Sequence, residues 1–405
     1  MKILQINCVF GEGSTGKIVN DLHTQLQNEG HISVVCYGRG TRHKQKNIYK
    51  VSLNIYSKFQ KFLSKITGVM YGGCFLSTAK LKSVIKNEKP DICHIHCING
   101  NFVNIYRLID WLKLRQVKTV ITLHAEFMHT ANCTYAFDCE KWKTGCKKCP
   151  IFKSVTKSLF LNNTNYSWKR MKKAFENFDE NLQIVSVSPW LMQRAQESPI
   201  LENKHHSVVL NGLDTTIFKR HEIDADALDL IELKGKKIIL HVTACFSNDP
   251  DNIKGGYYII ELAKQLMEKE NIIIVVAGSH ENVDNLPPNI QLMGKISDQQ
   301  KLARLYSLAD LTVITSKRET FSMIVAESLC CGTPVVGFCA GAPEQIAISE
   351  YSCFVEFGDV DNLAKSVKNM LDNVYNKQIV SQNAIEKYSK NRMFEDYMEI
   401  YEDLL

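Results

Sequence analysis

The sequence predicts an α/β protein made of two doubly wound parallel sheets in succession. Three observations carry this. Short apolar strands alternate with helical patterns through the first half, the alternation restarts after residue 236, and an Asn211-Gly212 turn signal lies between the two series. The length of 405 residues suits two domains, and 45% hydrophobic with 23% charged residues is ordinary for packed cores.

In the first half, strands are expected at 2–7, 32–37, 91–96, 118–123, 183–188 and 207–211. Helices are expected near 16–29, 55–71, 77–88, 102–115, 156–178 and 189–196. The second half gives strands at 237–243, 272–277, 290–293, 311–315, 334–338 and 352–355, with helices near 254–268, 298–309, 322–331 and 360–372. A cleft is expected between the two sheets. The acidic stretch 222–232 reads as exposed, and no repeat of 20–50 residues interrupts the pattern.

Charge is unevenly divided. Residues 1–210 hold 30 Lys+Arg against 14 Asp+Glu, and residues 211–405 hold 19 against 29, which gives +16 and −10. A basic half implies an anionic surface or acceptor, and no nucleic-acid motif accompanies it. The sequence shows neither a signal peptide nor an apolar run of 18 residues, so a cytoplasmic location is expected.

The most informative segment is Arg318-Glu319-Thr320-Phe321-Ser322-Met323-Ile324-Val325-Ala326-Glu327. Leu311–Thr315 reads as a buried strand, so Glu319 falls on the loop at its carboxyl end, where open α/β sheets bind ligands. Ser322 suits the cap of the next helix, which Gly332 and Pro334 stop. Carboxylates accept hydrogen bonds from hydroxyls, so two of them around a helix N-terminus fit a nucleotide sugar, with the diphosphate between.

The segment resembles the E-x7-E signature of retaining GT-B glycosyltransferases of family 4, and Cys331-Gly332-Thr333-Pro334-Val335-Val336 resembles the stretch that follows it. The resemblance implies two Rossmann-like domains, 1–210 on the acceptor side and 211–387 on the donor side, with a last helix inside 388–405 returning to the first. It implies that Glu319 contacts the donor sugar and Glu327 the ribose. With Arg318, Thr320, Phe321, Ser322 and Met323 they form the expected donor-binding set. Asn252-Ile253-Lys254-Gly255 resembles the family's Lys-Gly, which makes Lys254 the cation for the diphosphate and implies transfer without a divalent metal. The family's upstream Arg is absent from Ala244-Cys245-Phe246-Ser247. His124 ends the strand 118–123, where relatives carry His-Asp and this chain has His124-Ala125-Glu126. His124, Lys254 and Glu319 are thus the expected catalytic group, while His94, His96, Ser188 and Pro189 are further expected cleft residues.

Gly11-Glu12-Gly13-Ser14-Thr15-Gly16-Lys17-Ile18 almost spells a P-loop, but Ile18 replaces the hydroxyl that holds magnesium. The resemblance instead places Gly13, Ser14, Thr15 and Gly16 against donor or acceptor. Cys133, Cys139, Cys146 and Cys149 cluster in one loop, and four cysteines at short spacing in a cytoplasmic chain suggest structural zinc. Phe59, Phe62, Leu63, Ile66, Val69 and Met70 recur at helical spacing beside Lys58, Lys61 and Lys65, which reads either as a core-facing helix or as peripheral contact with an anionic membrane. The expected activity is hexosyl transfer from a nucleoside diphosphate sugar, such as a UDP-sugar, to a glycan or lipid-linked acceptor. An epimerase, a P-loop NTPase and a silent nucleotide-sugar-binding scaffold are the alternatives.

Overall fold

The computed structural model of the protein describes residues 1–222, 235–267, 271–281 and 283–405. The stretch 223–232, most of the acidic segment expected to be exposed, lies outside the described residues. The chain forms two compact units, Met1–Leu210 with Phe394–Leu405, and Asn211–Met393.

The first unit carries the strands β1 (Lys2–Asn7), β2 (Ile32–Tyr37), β3 (Ile48–Lys50), β4 (Ile92–Ile95), β5 (Thr119–Leu123), β6 (Leu182–Ser186) and β7 (His205–Val208). They form one sheet in the order β3-β2-β1-β4-β5-β6-β7, and every pairing is parallel. The second unit carries β8 (Lys237–Ser247), β9 (Ile272–Glu281), β10 (Ile290–Gly294), β11 (Leu311–Ile314), β12 (Val335–Phe338) and β13 (Ser352–Val355). Their order is β10-β9-β8-β11-β12-β13, again with parallel pairings. Both sheets reverse direction of winding in the middle, at β1/β4 and at β8/β11, and a crevice at the carboxyl ends of such strands receives ligands in open sheets.

The second sheet is buried on both faces because its strands are nearly continuous aliphatic runs. Ile239, Ile274, Val276, Val313 and Val336 pack under Ile259, Leu262, Ala263 and Leu266 of the helix Gly256–Leu266 and under Leu363 and Val367 of the helix Val360–Asp372. Each such Val, Leu or Ile side chain contributes about 1.5–3 kcal/mol relative to exposure. In the first unit, Tyr397 and Tyr401 of the last helix, Lys390–Leu404, are buried and bond to the sheet through Thr122 and His94. Asn211-Gly212 is not itself a turn, but a Cβ on Gly212 would lie 2.6 Å from Lys390 Cα, so only glycine allows that approach.

Several boundaries differ from expectation for local reasons. The helix expected at 55–71 is Asn54–Thr67, stopped by Gly68 in the left-handed region at φ 67°. The segment 156–178 is two helices, Phe152–Thr156 and Thr164–Phe175, separated where Lys157 turns left-handed at φ 52°. The helix Ile105–Leu114 starts later than residue 102 because Asn104 Oδ1 accepts the Arg107 N–H and caps it. Strand β3 and the helix Lys377–Tyr388 were not anticipated.

Candidate functional site

Two loops meet at the β8/β11 switch of the second unit. The first runs from β8 to the helix Gly256–Leu266, the second from β11 to the helix Met323–Cys330. Lys317 N–H donates to Ile253 O at 2.8 Å, and Thr315 Oγ1 donates to Gly255 O at 2.9 Å, so one backbone bond and one side-chain bond stitch the loops together. A Cβ on Gly255 would lie 2.0 Å from Thr315 O, and the residue has φ 70°; glycine is required twice over.

This stitching brings Lys254 Nζ to 2.7 Å from Glu319 Oε1, with both side chains only partly exposed. The Glu319 backbone is held from the other side, its N–H donating to Ala340 O and its carbonyl accepting from Ala342 N–H. Glu344 in turn accepts the N–H groups of Ala340 and Gly341 at 3.0 and 2.9 Å. The expected cation and the expected sugar-contacting acid therefore stand together, on a frame of three loops.

Glu327 sits within the helix Met323–Cys330, where its Oε2 accepts from Tyr306 OH at 3.0 Å. Arg318 is half-buried beside Glu319, Thr320 and Phe321 are buried, and Met323 opens the helix. Ser322 is at the N-cap position but makes no cap bond, contrary to expectation. Its backbone, at φ 83° and ψ 87°, departs from the extended geometry in which a serine oxygen reaches the first helical N–H groups. Ser322 Oγ is buried at the N-terminus of this helix and, among the described residues, has no hydrogen-bond partner.

Three residues of this region escaped the sequence reading. Tyr306 orients Glu327, and Glu344 fixes the Ala340 loop; Gly341-Ala342-Pro343-Glu344 after β12 was the available signal for the latter. His241, buried in β8, donates through Nδ1 to Val313 O at 3.0 Å, while its Nε2 has no partner among the described residues. Burial pulls the His241 imidazole down to about 4, so it is neutral at neutral pH and that Nε2 is an acceptor.

The first unit holds the remaining expected residues. The helix Gly13–Asn28 begins at Gly13, so Ser14 and Thr15 already belong to its first turn. Gly11 N–H donates to Gly16 O, and Thr15 Oγ1 lies 3.4 Å from Asn7 Nδ2. His124 follows β5, with its Nε2 at 3.4 Å from His96 Nδ1. Burial lowers the His124 imidazole to about 4, and burial likewise pulls His94 and His96 well below the ordinary range, so the stack is neutral. His94 is no site residue: Tyr401 OH at 2.6 Å and Thr122 Oγ1 at 2.8 Å occupy both of its nitrogens inside the core. Ser188 serves as a helix cap, accepting Leu191 N–H at 3.2 Å, and Pro189 fills the first helical position.

Glu126, where the resemblance would place aspartate nearby, is fully buried and turned into its own loop. It accepts Arg194 Nε at 2.5 Å and Ala136 N–H at 2.6 Å, with His129 Nε2 at 3.5 Å. Cys133, Cys146 and Cys149 are buried in the same loop and Cys139 is partly so; all four are free thiols. Burial and then the neighbouring Cys149 and Cys139 push the Cys146 thiol up to about 12, so the thiols lie within electrostatic reach of one another. Among the described residues, no group of three or more His, Cys, Asp or Glu side chains is placed to hold a metal ion.

A family model described as "Glycosyltransferase Family 4" matches residues 15–217, and one described as "Glycosyl transferases group 1" matches residues 236–373. The chain belongs to glycosyltransferase family 4. This family 4 glycosyltransferase is 23% identical over 423 residues to the putative colanic acid biosynthesis glycosyl transferase WcaC of Escherichia coli K12, with all of both chains covered. It is 22% identical to N-acetyl-alpha-D-glucosaminyl L-malate synthase of Bacillus anthracis, covering 99% of this chain and 96% of the other. Its GT-B fold matches HepE of Anabaena, solved in complex with UDP, at a TM-score of 0.66 and 13% identity, with both chains fully covered. Sucrose-phosphate synthase of Thermosynechococcus elongatus matches at 0.66 and 15%, covering 100% and 99%.

Proposed function

We propose that this glycosyltransferase moves a hexose, with retention of anomeric configuration, from a nucleoside diphosphate sugar to a glycan or lipid-linked acceptor in surface-polysaccharide assembly. The 2.7 Å pairing of Lys254 with Glu319 at the β8/β11 switch carries this reading. Departure of the nucleoside diphosphate leaves charge on phosphate oxygens, and a fixed ammonium beside a helix N-terminus stabilises that charge. Lys254 Nζ and the N–H groups near Ser322 would take the diphosphate without a divalent metal, Glu319 would accept the hexose hydroxyls, and Glu327, aligned by Tyr306, would accept those of the ribose. HepE crystallises with UDP-glucose, and WcaC is named for colanic acid synthesis; both accord with donor and pathway class.

A thermal-shift series with UDP, UDP-glucose and other nucleoside diphosphate sugars tests the donor half. A donor at 100 times its Kd adds about 2.7 kcal/mol of stability, enough to move the melting midpoint by degrees. Glu327→Ala is expected to abolish the UDP shift and also to lower the ligand-free midpoint, because it leaves the buried Tyr306 hydroxyl without its acceptor at a cost of about 1–3 kcal/mol. Equal shifts in wild type and variant would overturn the ribose assignment. Product analysis addresses the reaction: transferred sugar and released diphosphate support transfer, whereas a free epimerised sugar supports the epimerase.

For the loop 125–155 we propose structural zinc on Cys133, Cys139, Cys146 and Cys149, supported by four thiols within 17 residues that influence one another. The thiols would have to converge on binding, since among the described residues no group of three is placed to hold a metal ion. Protein purified without chelator is expected to hold about one zinc per chain, as a closed four-thiolate site requires. Stoichiometry near zero in folded protein would remove the proposal.

A further inference from the structure

The helix Asn54–Thr67 is inverted relative to an ordinary surface helix. Its buried residues are Ser57 and Ser64, whereas Ile55, Phe59, Phe62 and Ile66 stand exposed at 82, 54, 54 and 39%. Those four recur at spacings of four, three and four, so they form one stripe on the side opposite the buried serines. Lys58, Lys61 and Lys65 run along one flank of it. Of the residues singled out in the sequence, Phe59, Phe62 and Ile66 belong to this stripe, while Val69 and Met70 fall beyond the helix and are half-buried.

A second apolar element adjoins the first. Leu159 N–H donates to Lys65 O at 2.9 Å, Asn163 Nδ2 donates to Thr67 O at 2.7 Å, and Gly68 passes tightly against Leu161 O. These contacts fix Leu159, Phe160 and Leu161 at the C-terminal end of the helix, exposed at 49, 79 and 50%. An apolar surface this continuous marks an interaction site.

The surrounding charge identifies the partner. Residues 30–87, which contain the helix, hold 11 Lys+Arg and no Asp or Glu. Residues 141–175, which contain the Leu159–Leu161 tip, hold 10 Lys+Arg and again no acid. At the N-terminal end of the helix, Arg42, Lys44, Lys50 and Lys80 line a cavity of about 970 Å³ beside Tyr56 and Leu76, with no carboxylate in its lining. A protein partner offers acidic groups at scattered points, whereas an anionic bilayer presents phosphates over an apolar interior everywhere beneath such a surface.

We propose that the stripe Ile55-Phe59-Phe62-Ile66 with the Leu159–Leu161 tip is a docking surface for an anionic lipid bilayer, the rings entering the acyl boundary and the lysines meeting headgroup phosphates. This stands apart from the donor reading, since no donor-binding residue lies on the surface. The test is co-sedimentation of the full chain with vesicles of phosphatidylglycerol and phosphatidylcholine, or of phosphatidylcholine alone, at low salt. Wild type is expected to bind the anionic vesicles and to be released by salt. Phe59→Ser with Phe62→Ser is expected to weaken binding at least about tenfold, and Lys58→Glu, Lys61→Glu with Lys65→Glu about a hundredfold. Because these side chains are exposed, both variants should keep the wild-type melting midpoint and UDP shift. Absence of binding by wild type, unchanged binding by both variants, or self-association that the Phe59→Ser, Phe62→Ser pair abolishes without lipid would each overturn the proposal, the last in favour of a second copy of the chain.

Discussion

Lys254→Ala is expected to lower kcat/KM for the donor by about 10² to 10³, the loss typical of removing one preorganised group that meets developing charge. The lysine is placed by backbone contacts rather than by its own flexibility. Gly255, the Thr315 contact and the Lys317–Ile253 bond fix the loop, and Glu319 holds the ammonium at 2.7 Å. On the proposed reading, a diphosphate arriving there would find the cation already oriented, and little reorganisation would be left for the reaction step. The pairing is only partly exposed, so losing it should cost about 1–3 kcal/mol and lower the melting midpoint modestly. Lys254→Arg retains the charge but spreads it over a planar fork, and its recovery should be partial. Steady-state kinetics with a UDP-sugar decide the matter. Turnover by Lys254→Ala within threefold of wild type would mean that the leaving group is stabilised elsewhere.

Glu126→Ala is expected to destabilise the protein by about 3–5 kcal/mol, because it strands a cation among buried groups. Burial pushes the Glu126 carboxyl up, but the adjacent His129 imidazole, the Arg194 guanidinium and the Ala136 N–H outweigh that and hold it below the usual carboxylate range. A carboxyl lowered in the folded state adds stability above its unfolded value, near 4.3, and loses it as pH falls further. Arg194 also lies over the rings of Trp142 and Trp190, at 4.9 and 5.2 Å, so losing its anchor should loosen the packing of the cysteine loop. Urea melts measure the first effect, and proteolysis within residues 131–150 reports the second. Glu126→Gln, which keeps an acceptor for Ala136, should lie between. A loss below 1 kcal/mol in Glu126→Ala would show that Arg194 finds another partner.

The two sheets were legible because buried parallel strands are unbroken aliphatic runs, and the Glu319–Glu327 segment because strand, turn and helix follow one another closely in sequence. What failed were features decided by distant partners. The motif His124-Ala125-Glu126 does not show where Glu126 turns; Arg194, 68 residues away, claims its carboxylate. His94 reads as a cleft residue until Tyr401, 307 residues away, covers it. Strand β3 has three residues and no alternation to display. The helix Asn54–Thr67 carries a clear amphipathic period, but periodicity does not say which face turns inward. Only the burial of Ser57 and Ser64 answers that.

The final helix gives synthesis of the chain a fixed order of events. The unit that begins at Met1 is complete only with Phe394–Leu405, and the 183 residues Asn211–Met393 come between. At roughly 5–20 residues per second, a ribosome takes roughly 10–40 s to cross that interval. Throughout it, His94 and Thr122 lack Tyr401 and Tyr397. The first sheet therefore gains the partners of His94 and Thr122 only once translation has passed Tyr401.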